Sequence, residues 1–110
     1  MKLQTDARGV YPIAPTPFHA DGTIDVDSID RLTDFYLGCG AAGITVLGQL
    51  GEAPKLEHAE SVAVAVRMVR RAASLPVIVG VSAPGFAAMR ALTREVMDQG
   101  AAGVMIAPPN

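Results

Sequence analysis

The segment GQLGE at residues 48–52 carries residue types that could bind an anion. Gly48 and Gly51 permit tight turns and a close approach of the backbone to a ligand. The amides of Gln49, Leu50 and Gly51 could then point at a carboxylate or a phosphate, as in other nests of backbone N–H groups. A plain turn from a strand into a helix would use the same residues, so the spacing leaves both interpretations open.

A second glycine cluster, GCGAAG at residues 38–43, matches the dinucleotide-binding pattern G-x-G-x-x-G. That pattern binds pyrophosphate where a strand precedes it and a helix follows it. Here a helical pattern precedes the glycines and the apolar run ITVL follows them. We therefore expect these glycines to end a helix and lead into a strand, and the repeat of GAAG at residues 100–103 to form a second joint of the same kind.

The remaining candidate side chains favour structural roles. Thr16 follows an apolar run and could line a pocket or hold a neighbouring loop, and the loop role is favoured. Cys39 and Ser82 have no evident base near them, so neither is predicted to be a nucleophile. Together with Cys39, His19 and His58 are too widely separated in the sequence to indicate a metal site.

The elements that would position these residues follow from the apolar pattern. Four short runs rich in Val and Ile are predicted to be strands of a parallel sheet, at residues 10–14, 44–47, 77–81 and 104–107. Three helical patterns alternate with them, at residues 27–37, 55–73 and 86–99. Asp27 is predicted to cap the first helix. Since the carboxyl ends of parallel strands share one edge, GQLGE and Thr16 should lie at that edge of an α/β fold.

Length and charge limit the classes of partner. The chain has 110 residues, half of them apolar, and a net charge of −2, which gives no attraction to nucleic acid or to an anionic membrane. A single cysteine excludes an internal disulfide, so a cytoplasmic location fits best. The pattern predicts neither a signal peptide nor a membrane span.

The chain resembles the N-terminal part of the dihydrodipicolinate synthase/N-acetylneuraminate lyase family from residue 9 onward. The segments that carry the resemblance are PIAPTPF at 12–18, DGTID at 21–25, GQLGE at 48–52, LPVIVGV at 75–81 and APPN at 107–110. The resemblance implies a (β/α)8 TIM barrel, of which residues 1–110 would supply the first four strands and three helices as part of one domain. It also implies a homo-oligomer, usually a tetramer.

The resemblance further implies class I lyase or aldolase chemistry on pyruvate or another 2-oxo acid, without a metal or an organic cofactor. In the family, a lysine on the sixth strand forms a Schiff base with the keto carbon. That position would lie beyond Asn110, because residues 1–110 would supply only the first four strands. Lys2 and Lys55 lie near the terminus and at a helix start, and neither fits a buried lysine at a strand end. No catalytic residue is therefore expected in this segment, and alone it should be inactive. Where the family often has a tyrosine, this chain has Pro108 and Pro109.

The loop of the family reads G-[TS]-T-G-E and holds the substrate carboxylate. Its glycines and acid correspond to Gly48, Gly51 and Glu52, whereas its two hydroxyl positions hold Gln49 and Leu50. Leu50 has no side-chain donor, so backbone amides would carry more of the binding and the hydroxyl proton relay would be absent. The resemblance thus predicts substrate binding by residues 48–51 in a divergent aldolase or dehydratase.

An alternative is a non-catalytic, small parallel α/β module, such as a flavodoxin-like domain, that binds an anion or a partner. Both architectures begin with alternating strands and helices, so the pattern alone leaves this alternative open. Four further strand–helix units after residue 110, with a lysine after the sixth strand, would favour the lyase.

Overall fold

A parallel sheet of three strands, in the order β1-β2-β3, forms the centre of the computed structural model, which describes residues 1–108. The strands are β1 (Ile44–Val46), β2 (Val77–Gly80) and β3 (Gly103–Met105). The register places Val46 opposite Val79, and Val79 opposite Val104. The predicted parallel α/β architecture is confirmed, with three strands instead of four.

The first predicted strand, at residues 10–14, is wrong. Its backbone runs parallel to β1 but forms only an isolated bridge between Ile13 and Thr45. The Ala14 N–H donates to the Thr45 carbonyl at 2.8 Å, and the Thr45 N–H donates to the Pro12 carbonyl at 2.9 Å. Proline has no backbone N–H, so a sequence with proline at positions 12 and 15 cannot extend the ladder.

Helix α1 (Val26–Gly38) is capped by Asp25, two residues before the predicted cap. The Asp25 carboxylate accepts hydrogen bonds from the Ser28 N–H at 3.1 Å and the Ser28 hydroxyl at 2.6 Å. These bonds hold the pKa of Asp25 below its usual value, the hydroxyl bond having the larger effect. Asp27, the predicted cap, instead lies in the first turn, where its charge complements the helix dipole.

Helix α2 (His58–Ala72) begins at His58, later than the predicted residue 55. A short 3-10 turn, Ala53–Lys55, with proline near its start, precedes it. Glu57 and Glu60 then form a reciprocal capping box, which explains why the α-helix starts there. Helix α3 (Phe86–Asp98) agrees with its predicted bounds to within a residue.

The two GAAG segments form the same turn, as predicted. Gly40 and Gly100 have positive φ angles of 77° and 108°. Each glycine N–H donates to a carbonyl three residues back at 3.2 Å, and the N–H of the following alanine, Ala41 or Ala101, reaches five residues back at 3.2 or 3.0 Å. This is the hydrogen-bond pattern of a helix that ends at a left-handed glycine, so GCGAAG is not a dinucleotide-binding loop.

The core lies between the sheet and the three helices. Alternate strand residues, including Ile44, Val46, Val77 and Val79, face the helices and are fully buried. The opposite face of the sheet carries Ile13, which is half exposed. No helix within residues 1–108 combines the length and the apolar character that a membrane crossing requires.

Candidate functional site

The loop at residues 47–52 leaves β1 at the carboxyl edge of the sheet and leads into the 3-10 turn before α2. Leu47 and Glu52, at its two ends, have left-handed backbone conformations with φ of 64° and 57°. Such conformations are unfavourable for residues other than glycine and are concentrated at functional sites. The loop therefore has a specific shape that its sequence does not favour locally.

Within residues 1–108, two of the three loop amides in the predicted anion-binding group have no hydrogen-bond acceptor. The Gly51 N–H donates to the Gly48 carbonyl at 3.1 Å and closes a turn, so this amide is not free to bind an anion. Among the hydrogen bonds of residues 1–108, none is donated by the backbone amide of Gln49 or Leu50. The tip of the loop thus retains two backbone donors.

A cavity of about 340 Å³ lies at the same edge of the sheet. The loop contributes Gly48 and Gln49 to its lining, the end of β2 contributes Gly80 and Ser82, and β3 contributes Met105. Its size suits a small-molecule ligand, and its position is the one where parallel α/β sheets place their sites. Ser82 accepts a hydrogen bond at its Oγ from the Ala107 N–H at 2.8 Å.

The other predicted site residues lie outside this lining. The Leu50 side chain is 59% exposed, so it is the backbone of this residue that has any binding role. Gly51 is buried at the base of the loop. Thr16 is also buried, and its hydroxyl donates to the Gly51 carbonyl at 2.6 Å. This contact links Thr16 to the loop at residues 47–52, as expected for the role in holding the loop.

Glu52, the acid of GQLGE, does not face the cavity. Its carboxylate accepts a hydrogen bond from the Lys55 Nζ at 2.8 Å; the Lys55 side chain is largely exposed and the Glu52 side chain partly so. Glu52 is not among the residues that line the cavity.

Gly80 is a residue of this region that the sequence reasoning did not single out. A Cβ atom added at Gly80 would collide with the carbonyl oxygen of Leu47. A larger residue would therefore push the start of the loop away from β2. The only signal in the sequence is a glycine at the end of a Val/Ile run, which is typical of a close backbone approach.

Two arginines of α2, Arg67 and Arg71, bind carboxylates of α1. Arg67 binds Asp30 through two hydrogen bonds of 2.8 and 2.6 Å, and Arg71 binds Asp34 through two of 2.8 and 2.7 Å. These bonds lower the pKa of both aspartates and raise the pKa of both arginines. The hollow of about 370 Å³ beside them is lined by Arg70 as well as by Arg67 and Arg71, and the guanidinium groups of the latter two are paired with carboxylates.

In the described part of the chain, the other reactive side chains, His58 and Cys39, do not belong to a group that could bind a metal ion. His58 lies 2.9 Å from the Glu95 carboxylate, in an exposed contact between α2 and α3. Cys39 is an exposed free thiol. Within residues 1–108, no group of three or more His, Cys, Asp or Glu side chains is arranged to hold a metal ion. The predicted departure from a family tyrosine involves Pro108 and Pro109, of which Pro109 lies outside the described residues.

Comparison with known proteins gives consistent matches in sequence. The model of the dihydrodipicolinate synthetase family matches residues 6–110. An uncharacterized DapA-like lyase of Rhizobium meliloti is 36% identical over 99% of this chain and 37% of its own length. A trans-O-hydroxybenzylidenepyruvate hydratase-aldolase of Sphingobium xenophagum is 33% identical over 94% of this chain and 34% of its own length. The chain spans about a third of the length of the curated relatives it matches.

Solved structures agree with the sequence matches. A dihydrodipicolinate synthase from Rhodopseudomonas palustris superposes with a TM-score of 0.96 at 68% identity, covering 99% of this chain and 36% of that one. An N-acetylneuraminate lyase of Proteus mirabilis superposes with a TM-score of 0.85 at 27% identity, covering 92% of this chain and 35% of that one.

Proposed function

Because the chain belongs to the dihydrodipicolinate synthetase family, we propose that residues 1–110 form the N-terminal part of a single (β/α)8 barrel domain of a carbon–carbon lyase. The proposed reaction is class I aldolase, lyase or dehydratase chemistry on pyruvate or another 2-oxo acid. The parallel order of β1, β2 and β3, with helices on one face, supports this place in a barrel.

The observation that carries the proposal is the loop at residues 48–51 with its two unpaired amides. In the proposed complex, the Gln49 and Leu50 N–H groups donate to the oxygen atoms of the substrate carboxylate. Bonds to an ionised acceptor are stronger than bonds between neutral groups, so two of them suit a small anionic ligand. Gly48 keeps the backbone open toward the cavity, and the Gln49 side chain adds a donor that lines it.

The covalent step is assigned to a lysine outside this segment. Its amine would condense with the keto carbon, releasing water and forming an imine that, once protonated, withdraws electrons from the adjacent carbon–carbon bond. The lysines of this chain, Lys2 and Lys55, are both exposed, and Lys55 is paired with Glu52. Neither has the desolvated surroundings that activate a Schiff-base lysine, so the segment alone is proposed to be inactive.

The same proposal includes a homo-oligomer in the cytoplasm, with a small 2-oxo acid as the ligand. The exposed free thiol of Cys39 supports a reducing compartment.

Borohydride trapping with pyruvate, measured by intact mass, tests the proposed function. The 110-residue chain and the product of the complete reading frame are treated side by side, each with a no-pyruvate control. We expect an adduct on the longer product only, because borohydride reduces the imine to a stable amine. An adduct on the 110-residue chain would contradict its proposed inactivity.

Absence of an adduct on both folded proteins would refute the lyase and favour the non-catalytic anion-binding module. A second control uses pyruvamide, which keeps the keto carbon but lacks the carboxylate. If residues 48–51 bind the carboxylate, trapping of pyruvamide on the longer product should be much weaker than trapping of pyruvate.

A further inference from the structure

We propose that Thr16 is a positioning residue for the carboxylate-binding loop at residues 48–51. This inference rests on the function proposed above and deepens it. Thr16 is 6% exposed and lies outside the lining of the cavity, so it does not itself reach a ligand there. Its hydroxyl donates to the Gly51 carbonyl at 2.6 Å, across 35 residues of sequence.

The Gly51 carbonyl is the point at which the base of the loop is held. The N–H of the same residue is bonded to Gly48, so both polar backbone groups of Gly51 are used. There is also little space around it: a Cβ on Gly51 would lie 3.1 Å from the Leu47 Cα and 3.3 Å from the Ala14 carbonyl oxygen. The base is therefore packed and bonded, while the two amides at the tip stay unpaired.

The backbone around Thr16 is restricted on both sides. Pro15 and Pro17 flank it in the sequence. Each proline ring fixes its own φ, and Pro17 also confines Thr16 to extended conformations. The Thr16 hydroxyl is thus directed by a stiff segment, which suits a group that must hold another loop in place.

Gly80 supports the opposite side of the same loop. The Leu47 carbonyl passes so close to Gly80 that any side chain there would displace it. Thr16 acts by a hydrogen bond at the end of the loop, and Gly80 acts by leaving space at its start. The two residues position the loop by independent physical means.

Steady-state kinetics on the product of the complete reading frame tests the assignment. Thr16→Val keeps the shape and removes the donor, which leaves the buried Gly51 carbonyl unpaired. A contact to the substrate carboxylate is the same in the ground state and the transition state. We therefore expect KM for pyruvate to rise about tenfold and kcat to change by less than about twofold. Thr16→Ser retains the hydroxyl and should restore KM.

Thr33→Val is the matched control. Thr33 is also fully buried, and its hydroxyl also donates to a backbone carbonyl, that of Ile29 at 2.8 Å, but within helix α1. This variant should lower the melting temperature without changing KM. Should Thr16→Val fail to fold, Thr16→Cys supplies a weaker donor and is expected to give an intermediate rise in KM.

The outcomes separate the two proposals. If the wild-type enzyme is trapped by pyruvate and folded Thr16→Val has the wild-type KM, the role of Thr16 is overturned and the proposed function stands. An equal rise in KM for Thr33→Val would also overturn it, because a general loss of stability would then explain the effect. If the wild-type enzyme does not bind pyruvate, the proposed function fails first, and this role fails with it.

Discussion

At the scale of single residues, the loop at residues 47–52 accepts backbone strain at both of its ends. Leu47 is 2% exposed and belongs to the core, yet its φ is 64°. A glycine would relieve the backbone but would remove a buried side chain. Local preference and core packing therefore conflict at Leu47, as is often found beside functional sites.

Glu52 offers the cleaner test of this strain, because its side chain is not in the core. With φ at 57°, Glu52→Gly should be more stable than Glu52→Ala by about 1 kcal/mol, the reverse of the usual order for these two residues. The free energy of unfolding in urea is the measurement. Both variants lose the exposed pair with Lys55, and Lys55→Ala, which removes that pair alone, should change stability little. Greater stability of the alanine variant would contradict the left-handed conformation.

The residue scale also shows what the sequence could indicate about the site. GQLGE was predicted to lie at the carboxyl edge because it follows a Val/Ile run and precedes a helix, and it does lie there. The use of the Gly51 amide inside a turn was missed, because the same spacing fits an open nest and a closed turn. The contact between Thr16 and Gly51 depends on how distant segments pack, and no local pattern contains it.

At the scale of elements, apolar runs predicted the three strands. They also predicted a strand at residues 10–14 that forms only an isolated bridge, and the other errors lie at element boundaries. Two aspartates, at positions 25 and 27, could each cap α1, and only the structure shows which carboxylate reaches the Ser28 amide. Proline near the start of the 3-10 turn delays α2. In both cases the local sequence is compatible with more than one starting residue for the helix, and tertiary packing selects one of them.

Helices α1 and α2 are also joined by a double ion pair. Asp30 and Asp34 lie one turn apart on α1, and they bind Arg67 and Arg71, one turn apart on α2. The pKa of each aspartate is lowered below its unfolded value of 3.8, chiefly by the guanidinium hydrogen bonds. The pH dependence of stability follows from this direction. The two pairs stabilise the fold at pH values above the unfolded pKa and lose their effect as pH falls through the lower folded pKa.

The ion pair between Asp30 and Arg67 gives a testable prediction. Arg67→Gln should raise the pKa of Asp30 toward 3.8, because it removes the hydrogen bonds that favour the carboxylate. Titration of the side-chain carboxyl carbon by NMR measures this pKa. Arg70→Gln is the matched control, because Arg70 is on the same helix but is not among the groups that lower the pKa of Asp30. An unchanged pKa of Asp30 in Arg67→Gln would show that the ion pair between Asp30 and Arg67 does not form in solution.

At the scale of the whole molecule, the described chain leaves one face and one edge of its sheet uncovered. Strand β3 pairs only with β2 within residues 1–108, so its outer edge has no strand beside it. Large apolar side chains are exposed close to that edge and on the face away from the helices: Ile13 is 50% exposed, Met105 43% and Ile106 54%. An apolar surface beside an unpaired strand favours pairing with another chain.

We therefore predict that the purified 110-residue chain self-associates through this surface. Sedimentation velocity over a range of concentrations should show a mass that rises with concentration. Ile13→Lys combined with Ile106→Lys should shift the chain toward monomer, because a charge on an edge or an open face opposes pairing. Phe35→Lys is the control: Phe35 is 63% exposed, but it lies on α1, away from the sheet edge. If the wild-type chain stays a folded monomer, or if only Phe35→Lys prevents association, the open sheet is not the contact surface.

The same lysine substitutions in the longer product should instead reduce its stability, since in the proposed barrel the neighbouring strands would bury both positions.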